Sequence, residues 1–125
     1  MITNATVRQT LSADKITHAR VVTPQFESLG HIEDVMIHLE SGDIAYFVLS
    51  FGGFLGTKVG DKRFAIPFDA FTVSRDNEEV VFILDVDKEY LRNAPGFDKN
   101  AYPDFADPAF ESQHHQYYAA YAPPR

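Results

Sequence analysis

The sequence predicts an all-β fold: a small antiparallel barrel or sandwich carrying a helical, aromatic-rich C-terminal extension. Three observations point there. Residues 14 to 86 alternate short apolar runs with turn signals, the rhythm of a compact all-β domain. From residue 87 the character changes: five of the seven prolines and eight of the seventeen aromatic residues lie beyond it, which marks an extension. The chain is also short, 125 residues and 14.1 kDa. Such a mass folds to about 6,700 Å² of exposed surface from about 20,000 Å², enough burial for a single core. There is no room for separate cofactor and substrate domains.

The elements follow in order. Residues 1 to 13 form a polar N-terminal segment with Thr3, Asn4, Thr6, Arg8 and Gln9, lacking the apolar stretch of a secretory signal. The β-barrel is expected over residues 14 to 86. An early strand covers Ala19 to Thr23. Val35, Ile37 and Leu39 alternate with Asp34, Met36 and His38, so one face of that strand is expected to be apolar. Glu40-Ser41-Gly42-Asp43 is a turn in which Gly42 supplies a positive φ. Ile44 to Phe51 is apolar on both faces, as a central strand is, and completes a hairpin. Gly52, Gly53 and Gly56 then break the strand. Phe64 to Val73 is interrupted by Pro67, which removes a ladder donor and makes the run an edge strand, a bulge or two short strands. Asp76 to Glu79 is a polar turn, and Val80 to Val86 is the last strand.

The extension, residues 87 to 125, is expected to hold one or two short helices. Asp87 caps Lys88 to Asn93, which Pro95-Gly96 stops. Phe97 to Phe105 reads as an extended strap with aromatic anchors. Asp107-Pro108 then opens a helix running to about Ala120, with Phe110, His114, Tyr117, Tyr118 and Tyr121 at helical spacing.

Charge and composition narrow the function. Eleven basic against eighteen acidic side chains give a net charge of −7, which disfavours nucleic acid and anionic membrane surfaces as partners. The absence of cysteine removes disulfides, thiol nucleophiles and cysteine zinc sites. The longest uncharged stretch, Ile44 to Thr57, carries three glycines and falls short of the about 20 apolar residues of a spanning helix. A cytoplasmic protein without membrane contact is expected. No catalytic motif is present, so neither an enzyme nor a cofactor is expected.

Candidate sites are few. Asp85 and Asp87 are two apart, so on a strand both carboxylates share a face and could meet a divalent ion. Helix capping by Asp87 is the simpler account. His114 and His115 are adjacent and diverge by about 100° on a helix, a poor chelating pair. His18, His31 and His38 could meet only through folding. The segment from Gly52 to Gly60 lacks either glycine-rich phosphate motif. Within it Phe54 and Leu55 are apolar and flanked by glycines, which suits a partner-binding loop, with Lys58 adding local positive charge. Phe97, Tyr102, Phe105 and Phe110 are expected to pack the tail onto its own barrel or across a homodimer.

Four segments carry a family resemblance. Leu29-Gly30-His31-Ile32-Glu33-Asp34-Val35 resembles the L-G-x-I-x-D-hydrophobic strand of the PRC-barrel domains. The likeness continues through Ser41 to Ser50 and through Phe64-Ala65-Ile66-Pro67-Phe68-Asp69-Ala70-Phe71, and closes at Leu84-Asp85-Val86-Asp87. Asn93 to Asp98 and Tyr102-Pro103-Asp104-Phe105 look like extensions of stand-alone bacterial members. Phe68 and Tyr102 stand where many relatives have tryptophan. The family includes the barrel of the photosynthetic reaction-centre H subunit and the second domain of a ribosome-maturation factor. The resemblance implies a PRC-type β-barrel that acts as a non-enzymatic protein-interaction or assembly module. A homodimer with a further protein partner is expected. The alternative is a regulatory barrel that binds a small ligand or a divalent ion.

Overall fold

The computed structural model describes residues 10–51 and 62–121, and begins with a single helical turn, α1 (Ala13–Ile16). Ser12 caps it, its hydroxyl accepting from the Lys15 amide. The strands are β1 (Arg20–Val22), β2 (Ser28–Ile37), β3 (Ile44–Ser50), β4 (Lys62–Pro67), β5 (Phe71–Asp76), β6 (Glu79–Leu84) and β7 (Phe97–Asp98). They form one sheet in the order β5-β6-β1-β2-β3-β4-β7. Helices α2 (Lys88–Arg92) and α3 (Pro108–Ala119) lie in the extension.

The sheet corrects the expected antiparallel barrel twice. It is mixed, because β1 runs parallel to β6, and it is not closed, because β5 and β7 are its two ends. The first departure comes from Pro67. β4 ends there, and one 3-10 turn (Phe68–Ala70) leads into β5 without a hairpin. The strand direction therefore does not reverse between β4 and β5, and β6 arrives beside β1 in the same sense. Of the three readings open for the Phe64 to Val73 run, two short strands is the one adopted. The second departure comes from the strap, which adds β7 to β4 by pairing Lys62 with Asp98 and Arg63 with Phe97.

The hairpin of β2 and β3 forms as its turn chemistry dictates. Gly42 has φ +80°, and its amide donates to the His38 carbonyl at 2.8 Å. The expected apolar face of Val35, Ile37 and Leu39 does not form. Register shifts interrupt the β2–β3 ladder between Ile32 and Asp34 and between Met36 and Ile37. The first puts Glu33 into β2 as an extra residue and moves its later side chains to the other face, the second puts Ala45 into β3, and β2 ends at Ile37, before Leu39. Leu29 and Ile32 enter the core, Val35 is half-buried, and Ile37 and Leu39 face solvent. Asp34 supports the first bulge, its Oδ1 accepting from the Val35 amide at 2.8 Å.

The central strand behaves as expected. Phe47, Leu49 and Phe51 point into the core with Val21, Leu29, Ile32, Ile66 and Phe82. Tyr46 and Val48 occupy the opposite face and are also buried. That face is covered by the extension. Asp87 and Asp107 cap α2 and α3, accepting from the Tyr90 and Ala109 amides at 2.8 and 2.9 Å. Among the described residues no helix is long and apolar enough to cross a membrane.

Candidate interaction surface

Three regions of the folded chain offer chemistry. The first is the hairpin end of the sheet. Ile44, at the start of β3, lines an apolar groove of about 310 Å³ together with Ile16, Phe47, Phe68, Val73 and Phe82. Ile44 pairs with Ile37, which is 49% exposed, and Phe68 on the groove wall is 37% exposed. Leu39, in the turn beyond Ile37, is 91% exposed. Apolar side chains this open cost free energy in water, and grouped beside a groove they form a surface suited to docking. Sequence reasoning missed this region. Its available signal was an apolar Leu39 next to the polar turn Glu40 to Asp43; the groove itself needs the fold to bring α1, β3, β5 and β6 together.

The second region is the outer face of β3 and β4 under the extension. Phe97, Tyr102, Phe105 and Phe110 form a chain of ring contacts here, with centroids 4.9 to 5.8 Å apart for Phe97–Tyr102, Phe97–Phe105 and Phe105–Phe110. Phe105 and Phe110 meet Tyr46 of the same chain edge-on at 5.5 and 5.6 Å. Tyr102 also donates to Asp34 Oδ2 at 3.3 Å, tying the strap to the β2 bulge. Burial and the nearby Asp34 carboxylate raise its pKa. Burial likewise pushes Tyr46 up to about 12, its hydroxyl having no hydrogen-bond partner among the described residues. His114 lies against the same tyrosine. Arg63 is buried at the edge of this face, 3.6 Å from Glu33, which also lies 3.4 Å from His31 Nε2.

The third region is a cavity of about 290 Å³ lined by Thr23, Glu27, Asp85, Asp87, Lys88 and Tyr121. Asp85 and Asp87 do share it. Asp87 is nonetheless engaged as the α2 cap, and burial and the nearby Asp87 and Asp85 carboxylates raise the Tyr121 pKa. Among the described residues no group of three or more His, Asp or Glu side chains is placed to hold a metal ion. Phe54, Leu55 and Lys58 lie outside the described residues, in the segment joining Phe51 to Lys62.

His18 and His31 stack at 6.5 Å, whereas His38 stays in the hairpin turn. On α3, His114 is buried and His115 exposed, the divergence expected of adjacent helical residues.

Comparison with curated proteins gives no match. The family model of the PRC-barrel domain matches residues 9–91, two thirds of the chain and every strand of the sheet except β7. Its range contains the Asp34 bulge and the Pro67 corner, whose structural roles are set out above. The chain belongs to the PRC-barrel domain family.

Proposed function

We propose that this PRC-barrel chain is a non-enzymatic protein-interaction or assembly module that works as a homodimer and docks through the hairpin end of its sheet. The observation that carries the reading is Leu39, 91% exposed in the turn that follows Ile37, whose partner Ile44 lines the apolar groove. A second copy offers both a matching groove and a matching leucine, so a two-fold arrangement uses each contact twice. Burying a leucine is worth about 1.5–3 kcal/mol, so the pair supplies roughly 3–6 kcal/mol. Leu39→Glu is therefore expected to weaken the dimer at least about 100-fold. Sedimentation equilibrium over a concentration series measures this, with circular dichroism confirming an unchanged fold. A wild-type chain that stays monomeric throughout, or a variant that dimerises equally well, overturns the reading. Phe54→Asp tests independently the partner-binding loop expected from the sequence, in a pull-down from lysate with the wild-type chain beside it.

The acidic cavity supports a second reading, a regulatory barrel for a small ligand or a divalent ion, because Asp85 and Asp87 line one space. A ligand bound only by the folded chain stabilises it by about 2.7 kcal/mol at a hundred times its dissociation constant. Thermal unfolding with Mg²⁺, Ca²⁺ and small ammonium ions should then show a rise that Asp85→Asn removes. A flat response retires the reading for those ligands.

A further inference from the structure

His114 occupies a position that suits only one of its protonation states. It is 3% exposed, its ring stacked on Phe110 with centroids 3.8 Å apart and set edge-on to Tyr46 at 6.4 Å. Its Nδ1 lies 2.9 Å from the Phe110 carbonyl oxygen. A carbonyl only accepts, so Nδ1 carries the proton and the neutral ring places its lone pair on Nε2. Protonation adds a charge and a second N–H inside an aromatic stack that water hardly reaches.

We propose that α3 and the preceding strap form an acid-released cover over the outer face of β3 and β4, with His114 as the group that releases it. On α3 only His114 and Tyr118 are buried. Phe110 and Phe105 complete the seat on Tyr46. Lifting them exposes Tyr46, Val48 and Ala65, all buried in the closed state. The cover is also tied to α2, where the Tyr90 and Tyr117 hydroxyls each donate to the other's carbonyl, so its release frees the seat on β3 before those outer bonds.

Burial of His114 is the main force for release. On its own helix His115, edge-on to Tyr46 at 5.7 Å, adds repulsion once protonated, whereas the Glu111 carboxylate, which acts on Tyr46, opposes it. β3 presents the Tyr46 phenol, whose hydroxyl has no partner there and stays neutral across this range. β4 places Arg63 on the outer face opposite Ser50, four residues from Pro67, the partner of Tyr46, and its charge is engaged there with Glu33. The strap contributes the apolar Phe105. Ring faces attract an imidazolium, but burial outweighs that attraction and lowers the His114 pKa from 6.5 despite the Phe110 hydrogen bond. A folded pKa below the unfolded one means the unfolded state binds protons first as pH falls. The closed state is thus fully stabilised above the ordinary histidine value of 6.5 and loses that stabilisation below it, until the folded value is passed.

Amide hydrogen exchange of the full chain at about pH 7.5 and about pH 5, corrected for intrinsic rates, tests this. Protection over residues 105 to 119 is expected to fall at the lower pH while that of β1 and β2 holds, because the lowered His114 pKa removes stabilisation of the cover alone. His114→Phe keeps a ring in the stack and cannot protonate, so its protection should be flat with pH. His114→Gln serves if the phenylalanine variant fails to fold. His115→Gln, which removes the repulsion but leaves the buried imidazole, should retain most of the wild-type fall. The proposal is overturned if protection of the cover is constant in wild type, if it falls equally in the sheet, or if the His114 variants show the same fall.

Discussion

Gly30→Ala is expected to unfold the chain or to cost more than about 4 kcal/mol, the range reserved for breaking a special backbone position. Gly30 has φ +135°, and a Cβ there would lie 2.1 Å from the Ser50 carbonyl oxygen and 3.1 Å from its carbon. Both obstacles are backbone atoms of β3, so no rotamer change relieves the overlap. The φ alone strains any other residue by about 1–3 kcal/mol. Relief requires β2 and β3 to separate at the pairing of His31 with Ser50, which undoes the main ladder of the sheet. Urea unfolding measures the effect, since a small domain has only about 5–15 kcal/mol of stability in total. A loss below about 1 kcal/mol would show that the strands can part locally without cost to the fold.

Phe47→Ala should be nearly as severe. Phe47 is fully buried and meets Phe68, Phe71 and Phe82 at centroid distances of 5.3, 5.2 and 5.0 Å. Removing the ring forfeits transfer energy, three aromatic contacts and the volume they enclose, about 3–5 kcal/mol. At roughly 4 °C per kcal/mol the midpoint should fall by about 12–20 °C in calorimetry. Phe47 also lines the groove, so Phe47→Leu is a useful partner variant. It should recover much of the stability because most of the volume is kept. Equal losses for both variants would mean that ring geometry, and not volume, holds this end of the core.

These two positions show what was readable in advance. Gly30 belongs to the Leu29 to Val35 segment that carried the family resemblance, and the structure supplies its reason: a close approach that admits no side chain. Phe47 belongs to the run from Ile44 to Phe51, whose two-sided apolarity identified a central strand. Asp87 and Asp107 were legible as caps because capping depends on local backbone geometry. Gly42 was legible because a tight turn with positive φ is a local demand too.

The candidate surfaces were less legible. Leu39 was placed on an apolar strand face by simple alternation, but the extra residue Glu33 breaks that count within β2 and the strand ends at Ile37, leaving Leu39 in the turn. Bulges depend on how two strands fit together, and a single strand's pattern does not carry that information. The tail aromatics were recognisable as anchors, but not what they anchor to. Tyr46 looked like one more apolar residue in a central strand, yet it is the seat on which Phe105, Phe110 and His114 converge.

By itself, then, the sequence determined the local elements, the family and the composition of the core. Turns, caps and apolar runs act over a few residues, and their physics is written in neighbouring side chains. Only the tertiary structure decided the mixed and open sheet, the exposure of the hairpin end and the burial of His114. Each of these depends on pairing between segments far apart in the chain. The Pro67 corner shows the difference most plainly. Its missing donor was visible in the sequence, but that it would carry β4 into β5 without reversal, and bring β6 parallel to β1, depends on where the remaining strands find their partners.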